Sequence, residues 1–367
     1  MALLKDLYSE TFYQKLSDAL DEVIPGFVEN DFNAKIYTPE FANMELKQRM
    51  RHTTMVLHGF LPPDFPDAVG VLYRLISQLR KNAFGEDQLA MMFLPDYIQV
   101  YGLDDYETSI EAIEHITQFI TCEFAVRPFL LKYFDKMMLK MHDWSMHENA
   151  KVRRLATEGS RPALPWGLAV PVLKKDPSKI LPILENLKND LSESVRRSVA
   201  NNLNDISKNQ PEVVLGIATR WKGHSKNTDA IIKHGARTLL KRSHADILSH
   251  YNIESKNIEL SEFRIVTPKV TVGQYLEFTF VVRNSDAFSQ IVRLEYAVYF
   301  KRLNGQYSKK VFKISEREYT PGQSIVIKRN QSFKMITTRV YHPGTHRLSV
   351  IVNGRESELQ DFELTNF

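Results

Sequence analysis

Three helical segments in the middle of the chain begin alike, and this repeat restricts the possible folds more than any other feature. They contain AKVRRLA, ESVRRSVANNL and AIIKHGARTLL, and the aligned residues Val152, Val195 and Ile232 are 43 and 37 residues apart. An earlier helix precedes each segment, which gives helix pairs at 128–158, 177–206 and 211–241. A period of roughly 40 residues with two helices per unit is typical of HEAT-type solenoids. Because one pair cannot bury its apolar face alone, we expect the pairs to stack.

The periodicity changes after Tyr251. The stretches LEFTFVVRN, RLEYAVYFKRL, SIVIKRNQSF and HRLSVIVNG alternate apolar and polar residues over the length of a strand. Asn304-Gly305 marks a hairpin. About seven short strands in a segment of this size favour an immunoglobulin-like fold. We therefore predict a multidomain chain, with an all-α HEAT-like repeat solenoid at residues 1–257 followed by an all-β immunoglobulin-like sandwich at residues 258–367.

The charge of the chain is segregated. Residues 1–120 contain 9 Lys and Arg against 19 Asp and Glu, residues 121–257 contain 23 against 14, and residues 258–367 contain 16 against 11. A basic excess that begins in the repeats and continues to the end of the chain indicates a polyanionic partner. A solvated surface without a partner is the alternative.

Several classes of protein are disfavoured. The sequence has no run of 18 apolar residues, no secretory signal at its start, no glycine-rich phosphate loop and no Gly-x-Ser-x-Gly elbow. Its one cysteine, Cys122, excludes an internal disulfide framework. His142 and His147 are five residues apart, a poor spacing for a helical metal pair. We expect a cytoplasmic monomer that uses no cofactor, no metal and no membrane.

Two glutamates occupy unusual positions. Glu123 lies in the mainly apolar stretch QFITCEFAVRPFLLKYF, and Glu158 ends a basic helix just before a Gly-Ser-Arg-Pro break. A carboxylate in apolar surroundings costs free energy unless it is paired. Salt bridges from Glu123 to Arg127, and from Glu158 to Arg154 or Arg161, would explain both without any catalytic role.

Trp166 lies between Pro165 and Gly167, on a segment that cannot be a regular helix. Most tryptophans belong to the core, and this one could do so too. A ring on an irregular segment is, however, often exposed to a groove. Trp166 is therefore a candidate site residue beside the two acids.

These residues carry a family likeness. TCEFAVRPFL, HENAKVRRLATEGSRPALPWG and the following Val-Arg-Arg helix resemble the DNA alkylation repair glycosylases of the AlkC type, in the wider AlkC/AlkD group. The likeness covers residues 1–257, and some AlkC-type members also carry an appended immunoglobulin-like domain.

The resemblance implies a monofunctional DNA glycosylase. Such an enzyme removes cationic alkylated bases of the 3-methyladenine and 3-methylcytosine type from double-stranded DNA, without flipping the base and without a cofactor. The matched motifs place Glu123, Glu158 and Trp166 in the catalytic site, with the phosphates on a basic concave surface.

The chemistry agrees with these residue types. An alkylated ring nitrogen makes the base cationic, so that it already leaves readily. The remaining requirement is negative charge near C1′ as an oxocarbenium-like sugar develops, and a carboxylate can also orient the attacking water. An indole face adds cation–π attraction. The sequence leaves open which glutamate positions the water.

Basic residues that recur in the three repeats, together with two near the acidic motifs, are the candidate phosphate contacts. They are Arg127, Arg153, Arg154, Arg161, Arg196, Arg197, Lys233 and Arg237. The competing interpretation is a non-enzymatic HEAT-repeat scaffold or nucleic-acid-binding module. Release of a methylated base from alkylated DNA would distinguish the two.

Overall fold

The computed structural model describes residues 3–253, 257–336 and 339–366. The chain folds into two compact units. The first comprises Met1–Val214 and Arg220–Gly235, and the second comprises Leu215–Thr219 and Ala236–Phe367.

The region before residue 251 is helical, as predicted. The α-helices are α1 (Glu10–Asp21), α2 (Glu29–Ile36), α3 (Leu46–His58), α4 (Phe65–Lys81), α5 (Phe93–Tyr101), α6 (Tyr106–Thr117), α7 (Val126–Lys132), α8 (Phe134–Trp144), α9 (Ala150–Gly159), α10 (Pro171–Lys175), α11 (Leu181–Leu187), α12 (Glu193–Ile206), α13 (Pro211–Trp221), α14 (Lys226–Gly235), α15 (Arg237–Lys241) and α16 (Ala245–His250). Short 3₁₀ turns lie at Leu4–Leu7, Phe41–Asn43 and Leu89–Met92. None of these helices in the described ranges is long and apolar enough to cross a membrane.

Polar residues fix where several helices begin. Ser9, Asp64, Asp105 and Asn149 precede α1, α4, α6 and α9, and each side chain accepts a hydrogen bond from a backbone N–H of the first turn. These N–H groups have no partner within the helix, so a side-chain oxygen stabilises the helix by about 1 kcal/mol. The cap at Asn149 matters most here, because α9 carries Glu158.

The predicted repeat is present as stacked helices. The second helices of the three pairs are α9, α12 and α14, and α9 packs on α12, which packs on α14. Two predicted helices are interrupted: the first breaks at Tyr133 between α7 and α8, and the last breaks at Ala236 between α14 and α15.

In two repeats, the first arginine of the Val-Arg-Arg sequence makes the same pair of hydrogen bonds. Arg153 Nη1 donates to the carbonyls five and six residues earlier at 2.7 and 2.9 Å, and Arg196 Nη1 does the same at 2.8 and 2.7 Å. Arg153 also makes two bonds to the Asp190 carboxylate of the next repeat, at 2.6 and 3.0 Å. The recurring arginine therefore braces the loop before its own helix and, in the first pair, joins neighbouring repeats.

The second unit contains a mainly antiparallel sandwich. Its strands are β1 (Ile258–Ile265), β2 (Lys269–Thr271), β3 (Tyr275–Asn284), β4 (Gln290–Lys301), β5 (Tyr307–Tyr319), β6 (Ser324–Ser332), β7 (Gly344–Val352), β8 (Arg355–Glu356) and β9 (Gln360–Thr365). One sheet has the order β1-β3-β6, and the other has the order β2-β9-β7-β4-β5 with β8 on β7; the short β2–β9 pair is parallel.

Alternating residues of both sheets form one apolar core, with Phe278, Phe280, Tyr296, Val298 and Val350 among its members. The predicted immunoglobulin-like sandwich is confirmed, and the hairpin at Asn304-Gly305 joins β4 to β5. The predicted count of seven strands is too low, because β2 and β8 are very short. Helices α15 and α16 belong to the same compact unit as the sandwich, so this division falls earlier than residue 258.

Candidate functional site

One cavity of about 270 Å³ is lined by all three predicted catalytic residues. Its lining comprises Leu89, Met92, Thr121, Glu123, Phe124, Glu158, Arg161, Leu164, Pro165 and Trp166. Three parts of the helical unit supply it: the 3₁₀ turn at Leu89–Met92, the segment before α7, and the end of α9 with the loop that follows. The structure therefore brings together residues that are 43 positions apart in the sequence.

Glu158 is buried, with only 5% of its surface exposed. Arg161 Nη1 donates to its Oε1 at 2.6 Å, and the Ser198 hydroxyl donates to its Oε2 at 2.5 Å. Gly159 allows this helix end to pack closely, because a Cβ there would lie 2.7 Å from Val126 Cγ2. The predicted pair of Glu158 with Arg161 is present, and these two hydrogen bonds hold the carboxylate in place at the wall of the cavity.

Arg161 joins Glu158 to a second buried carboxylate. Its Nε donates to Asp205 Oδ2 at 2.8 Å, and Lys208 donates to the other oxygen of Asp205 at 2.8 Å. Burial alone would lower the pKa of Arg161, but the hydrogen bond to Asp205 and the charges of Glu158 and Asp205 outweigh it and raise that pKa. The guanidinium is thus permanently charged and lies in the cavity wall.

Glu123 also lines the cavity and is partly exposed. Its Oε2 accepts hydrogen bonds from Arg154 Nη1 at 2.8 Å and from the Thr121 hydroxyl at 3.0 Å. Both bonds go to the same oxygen, and Oε1 takes part in neither. Arg154 therefore orients this carboxylate, and the predicted alternative of a bridge from Glu123 to Arg127 is wrong.

Trp166 is exposed, with 62% of its surface accessible, so the core interpretation is wrong. The Gly167 N–H donates to the Leu164 carbonyl at 3.1 Å, which makes residues 164–167 a tight turn. Trp166 is third in that turn, after Pro165, and has φ +66°. That position normally takes glycine, because a side chain there costs about 1–2 kcal/mol. Strain of this kind is concentrated at functional sites.

Arg127 does not contact phosphate, and that prediction is wrong. The residue has no exposed surface, and its Nε and Nη1 donate to the backbone carbonyls of Leu168, Gly159 and Arg161 at 2.7, 2.8 and 2.6 Å. Burial and the charge of Arg161 lower the pKa of Arg127 to about 10. Its role is to shape the loop that carries Trp166.

The other predicted phosphate contacts fall into separate groups. Arg153 and Arg196 brace loops, and Arg154 holds Glu123. The predicted phosphate contact of Arg161 is wrong, because this side chain is buried between Glu158 and Asp205. Arg197 and Lys233 are exposed on α12 and α14, where Arg197 forms an i,i+4 pair with Glu193. The half-buried Arg237 begins α15, in the second unit. Exposed positions suited to a phosphate backbone are therefore fewer than the sequence predicted.

Cys122 immediately precedes Glu123 but does not line the cavity. Its thiol is fully buried, and burial raises the pKa of this thiol far above its ordinary value. Within the described ranges, no group of three or more His, Cys, Asp or Glu side chains could hold a metal ion.

Known proteins resemble the chain over nearly its whole length. A family model described as "Uncharacterised protein YhaZ, C-terminal Ig-like domain" matches residues 259–366. "Uncharacterized protein YhaZ" of Bacillus subtilis (strain 168) is 42% identical over 365 residues, which are 99% of this chain and 100% of that protein. The solved structure of Pseudomonas fluorescens alkylpurine DNA glycosylase AlkC, bound to DNA containing an abasic site analog, matches with a TM-score of 0.93 and 32% identity. That match covers 99% of this chain and 100% of that one. This chain belongs to the AlkC family.

In this AlkC family member, sequence reasoning missed the residues that support Glu158 from the next repeat. Ser198 and Asp205 both lie on α12, 40 and 44 positions after the residues to which they bond. Those separations are close to one repeat length, so the repeat period was the sequence feature that could have identified these partners. The structure therefore adds Ser198 and Asp205 to the environment of the AlkC-type motif.

Proposed function

We propose that this protein is a monofunctional DNA glycosylase. It removes cationic alkylated bases, of the 3-methyladenine and 3-methylcytosine type, by hydrolysis of the N-glycosidic bond. The observation that carries the proposal is the single cavity that Glu123, Glu158 and Trp166 line. Membership of the AlkC family, with a TM-score of 0.93 to an alkylpurine DNA glycosylase, supports it.

The cavity chemistry fits a reaction in which the leaving group needs no acid. Alkylation at a ring nitrogen has already made the base cationic. As the N-glycosidic bond breaks, positive charge moves to the sugar, and fixed carboxylates stabilise it because they need no reorganisation. The exposed indole of Trp166 offers a π face to the sugar or the cationic base, and this attraction contributes on the order of 1–2 kcal/mol when desolvated.

The two carboxylates have different tasks. Both oxygens of Glu158 accept hydrogen bonds from protein groups, which suits a stationary negative charge. Glu123 receives its two hydrogen bonds on Oε2, which leaves Oε1 to accept one from water. Glu123 therefore orients the attacking water and takes its proton as the new C1′–O bond forms.

The size and the lining of the cavity support two further parts of the proposal, namely that the base is not flipped and that no Schiff base is formed. A volume of about 270 Å³ is below the usual range of sites that enclose a ligand, which suits a sugar edge and a water more than a flipped nucleotide. No lysine is among the residues that line it in the described part of the chain, so the cavity offers no amine to form a Schiff base with the sugar.

We propose double-stranded DNA as the partner because basic side chains are exposed on both parts of the protein. The exposed Arg197 and Lys233 lie on α12 and α14, which pack against each other. Phosphate contacts from such residues position a duplex without reading its sequence. In the sandwich, Lys328 and Arg329 are exposed on β6, and we propose that they also contact phosphates. Reversal of both charges should then weaken duplex binding at low salt, and unchanged affinity would restrict the contact to the helical unit.

The decisive experiment is base release from a defined duplex. We expect the protein, in EDTA and without nucleotide, to release 3-methyladenine or 3-methylcytosine, detected by mass spectrometry. The abasic strand should stay intact until alkali is added. The variant with Gln at both Glu123 and Glu158 is the control. No release by a folded protein that still binds abasic DNA would favour the binding module instead.

A further inference from the structure

Cationic side chains hold the backbone of the segment that carries Trp166. This segment, between α9 and α10, contains Pro162 and Pro165 and has no regular secondary structure. Carbonyls at both of its ends accept hydrogen bonds from Arg127, and the Trp166 carbonyl accepts one from Lys47. The segment cannot provide these bonds itself, so other parts of the fold determine its conformation.

Arg127 holds the two ends of the segment close together. One nitrogen bonds the carbonyls of Gly159 and Arg161, and another bonds Leu168. A buried carbonyl without a donor costs roughly 1–3 kcal/mol. A planar guanidinium can serve three carbonyls at once, whereas a lysine cannot do so in the same geometry.

Lys47 acts at the strained residue itself. It is exposed on α3, 119 residues before Trp166, and its Nζ lies 2.7 Å from the Trp166 carbonyl oxygen. The same Nζ lies 5.6 Å from the ring centroid of Phe124, the residue after Glu123. Lys47 therefore contacts both segments that bring catalytic candidates to the cavity.

Lys47 also lies at a boundary. Phe124 and Trp166 line the cavity of about 270 Å³ and also a larger cleft of about 900 Å³ beside it. Lys47 lines only the larger cleft, which contains neither Glu123 nor Glu158. The segment that carries Trp166 is thus held by Lys47 at the larger cleft and by the buried Arg127 at its two ends.

We propose that Lys47 and Arg127 are positioning residues for Trp166. They hold its backbone in the left-handed turn, so that the indole keeps its place at the carboxylate cavity. The catalytic consequence rests on the proposed glycosylase function. The conformational half of the proposal is measurable without any activity.

The test uses the full-length protein labelled with 5-fluorotryptophan. The chain has three tryptophans, and Trp144 and Trp221 are buried with 1% exposure each. Trp166→Phe identifies the ¹⁹F resonance of Trp166. We expect Lys47→Met to shift or broaden that resonance alone. The matched control is Lys35→Met, which removes another exposed lysine that lies over the Phe60 ring and lines neither cavity.

The kinetic arm uses single-turnover base release at saturating enzyme. Loss of one charge-assisted hydrogen bond predicts a rate about 10-fold lower for Lys47→Met, with affinity for undamaged duplex equal to that of Lys35→Met. Lys47→Arg should restore both resonance and rate. Arg127→Lys should lower the rate further, with the same resonance perturbed. Because Lys47 is exposed, its variants should fold even if Arg127→Lys does not.

Three results would overturn the proposal. An unchanged Trp166 resonance in Lys47→Met would show that Lys47 does not hold this residue. A perturbed resonance with an unchanged rate would show that the position of Trp166 does not matter for catalysis. An unchanged saturated rate with weaker binding to undamaged duplex would make Lys47 a phosphate contact. If the wild-type protein releases no base, the glycosylase proposal fails, and the resonance still decides whether Lys47 holds Trp166.

Discussion

Replacement of Arg161 by methionine tests the buried network behind the cavity. This change removes the cation that Glu158 and Asp205 share, while Ser198 and Lys208 keep their single bonds to these two acids. Removal of one partner from a buried ion pair costs about 3–5 kcal/mol, because the other charge stays buried. For a unit of this size we expect the melting temperature to fall by roughly 6–20 °C.

A second change shows whether the uncompensated charge causes the loss. In the Arg161→Met variant, the Glu158 carboxylate stays buried beside the Ser198 hydroxyl without its cationic partner. A neutral side chain of the same shape avoids that cost. We therefore expect the added change Glu158→Gln to recover part of the stability that Arg161→Met loses.

The assay is thermal and urea denaturation followed by helical circular dichroism. Arg197→Gln is the matched control, because Arg197 and Glu193 also form a salt bridge but both are largely exposed. Its loss should stay below about 0.5 kcal/mol. If Arg161→Met costs no more than this control, or if Glu158→Gln recovers no stability in the Arg161→Met background, the network is solvated and the reasoning about Glu158 fails.

Three further predictions concern the cavity and the DNA surface. Glu123→Gln should lower base release about 10²-fold with little change in melting temperature, and full activity would remove Glu123 from the reaction. Trp166→Gly should be more stable than Trp166→Ala by about 1 kcal/mol in urea denaturation, because only glycine takes φ +66° without strain; the opposite order would mean that the turn is not strained. Gln at both Arg197 and Lys233 should reduce the slope of log K against log salt by up to about two, and an unchanged slope would exclude both as phosphate contacts.

Periodicity was enough to predict most of the architecture. The 3.6-residue and two-residue patterns gave helices that stack and strands that form a sandwich, since both patterns record which face is buried. Breaks such as the one at Ala236 were missed, because apolar residues continue on both sides of it. The short strands β2 and β8 were missed because two or three residues carry no measurable alternation.

The site could be predicted only where motif likeness supplied it. Glu123, Glu158 and Trp166 line one cavity, and the pair of Glu158 with Arg161 is one of the two that the sequence offered. The partners of the other arginines were not foreseen. A sequence does not distinguish an arginine directed at phosphates from one directed at backbone carbonyls, because every residue has a carbonyl and only the fold determines which ones lie nearby. Arg127 shows this: the apolar residues around it were the only sign that it would be buried.

The buried thiol of Cys122 makes this protein well suited to chemical mapping with introduced cysteines. Because this sulfur is buried and protonated, alkylating reagents should leave the folded protein unmodified. A cysteine introduced at Leu191, which is 95% exposed, would then be the single reactive group, with no need to delete the native one. Such cysteines, introduced one at a time, can be tested for disulfide formation with a duplex that carries thiol-modified phosphates. The positions that form a disulfide would trace the path of the DNA over the protein surface.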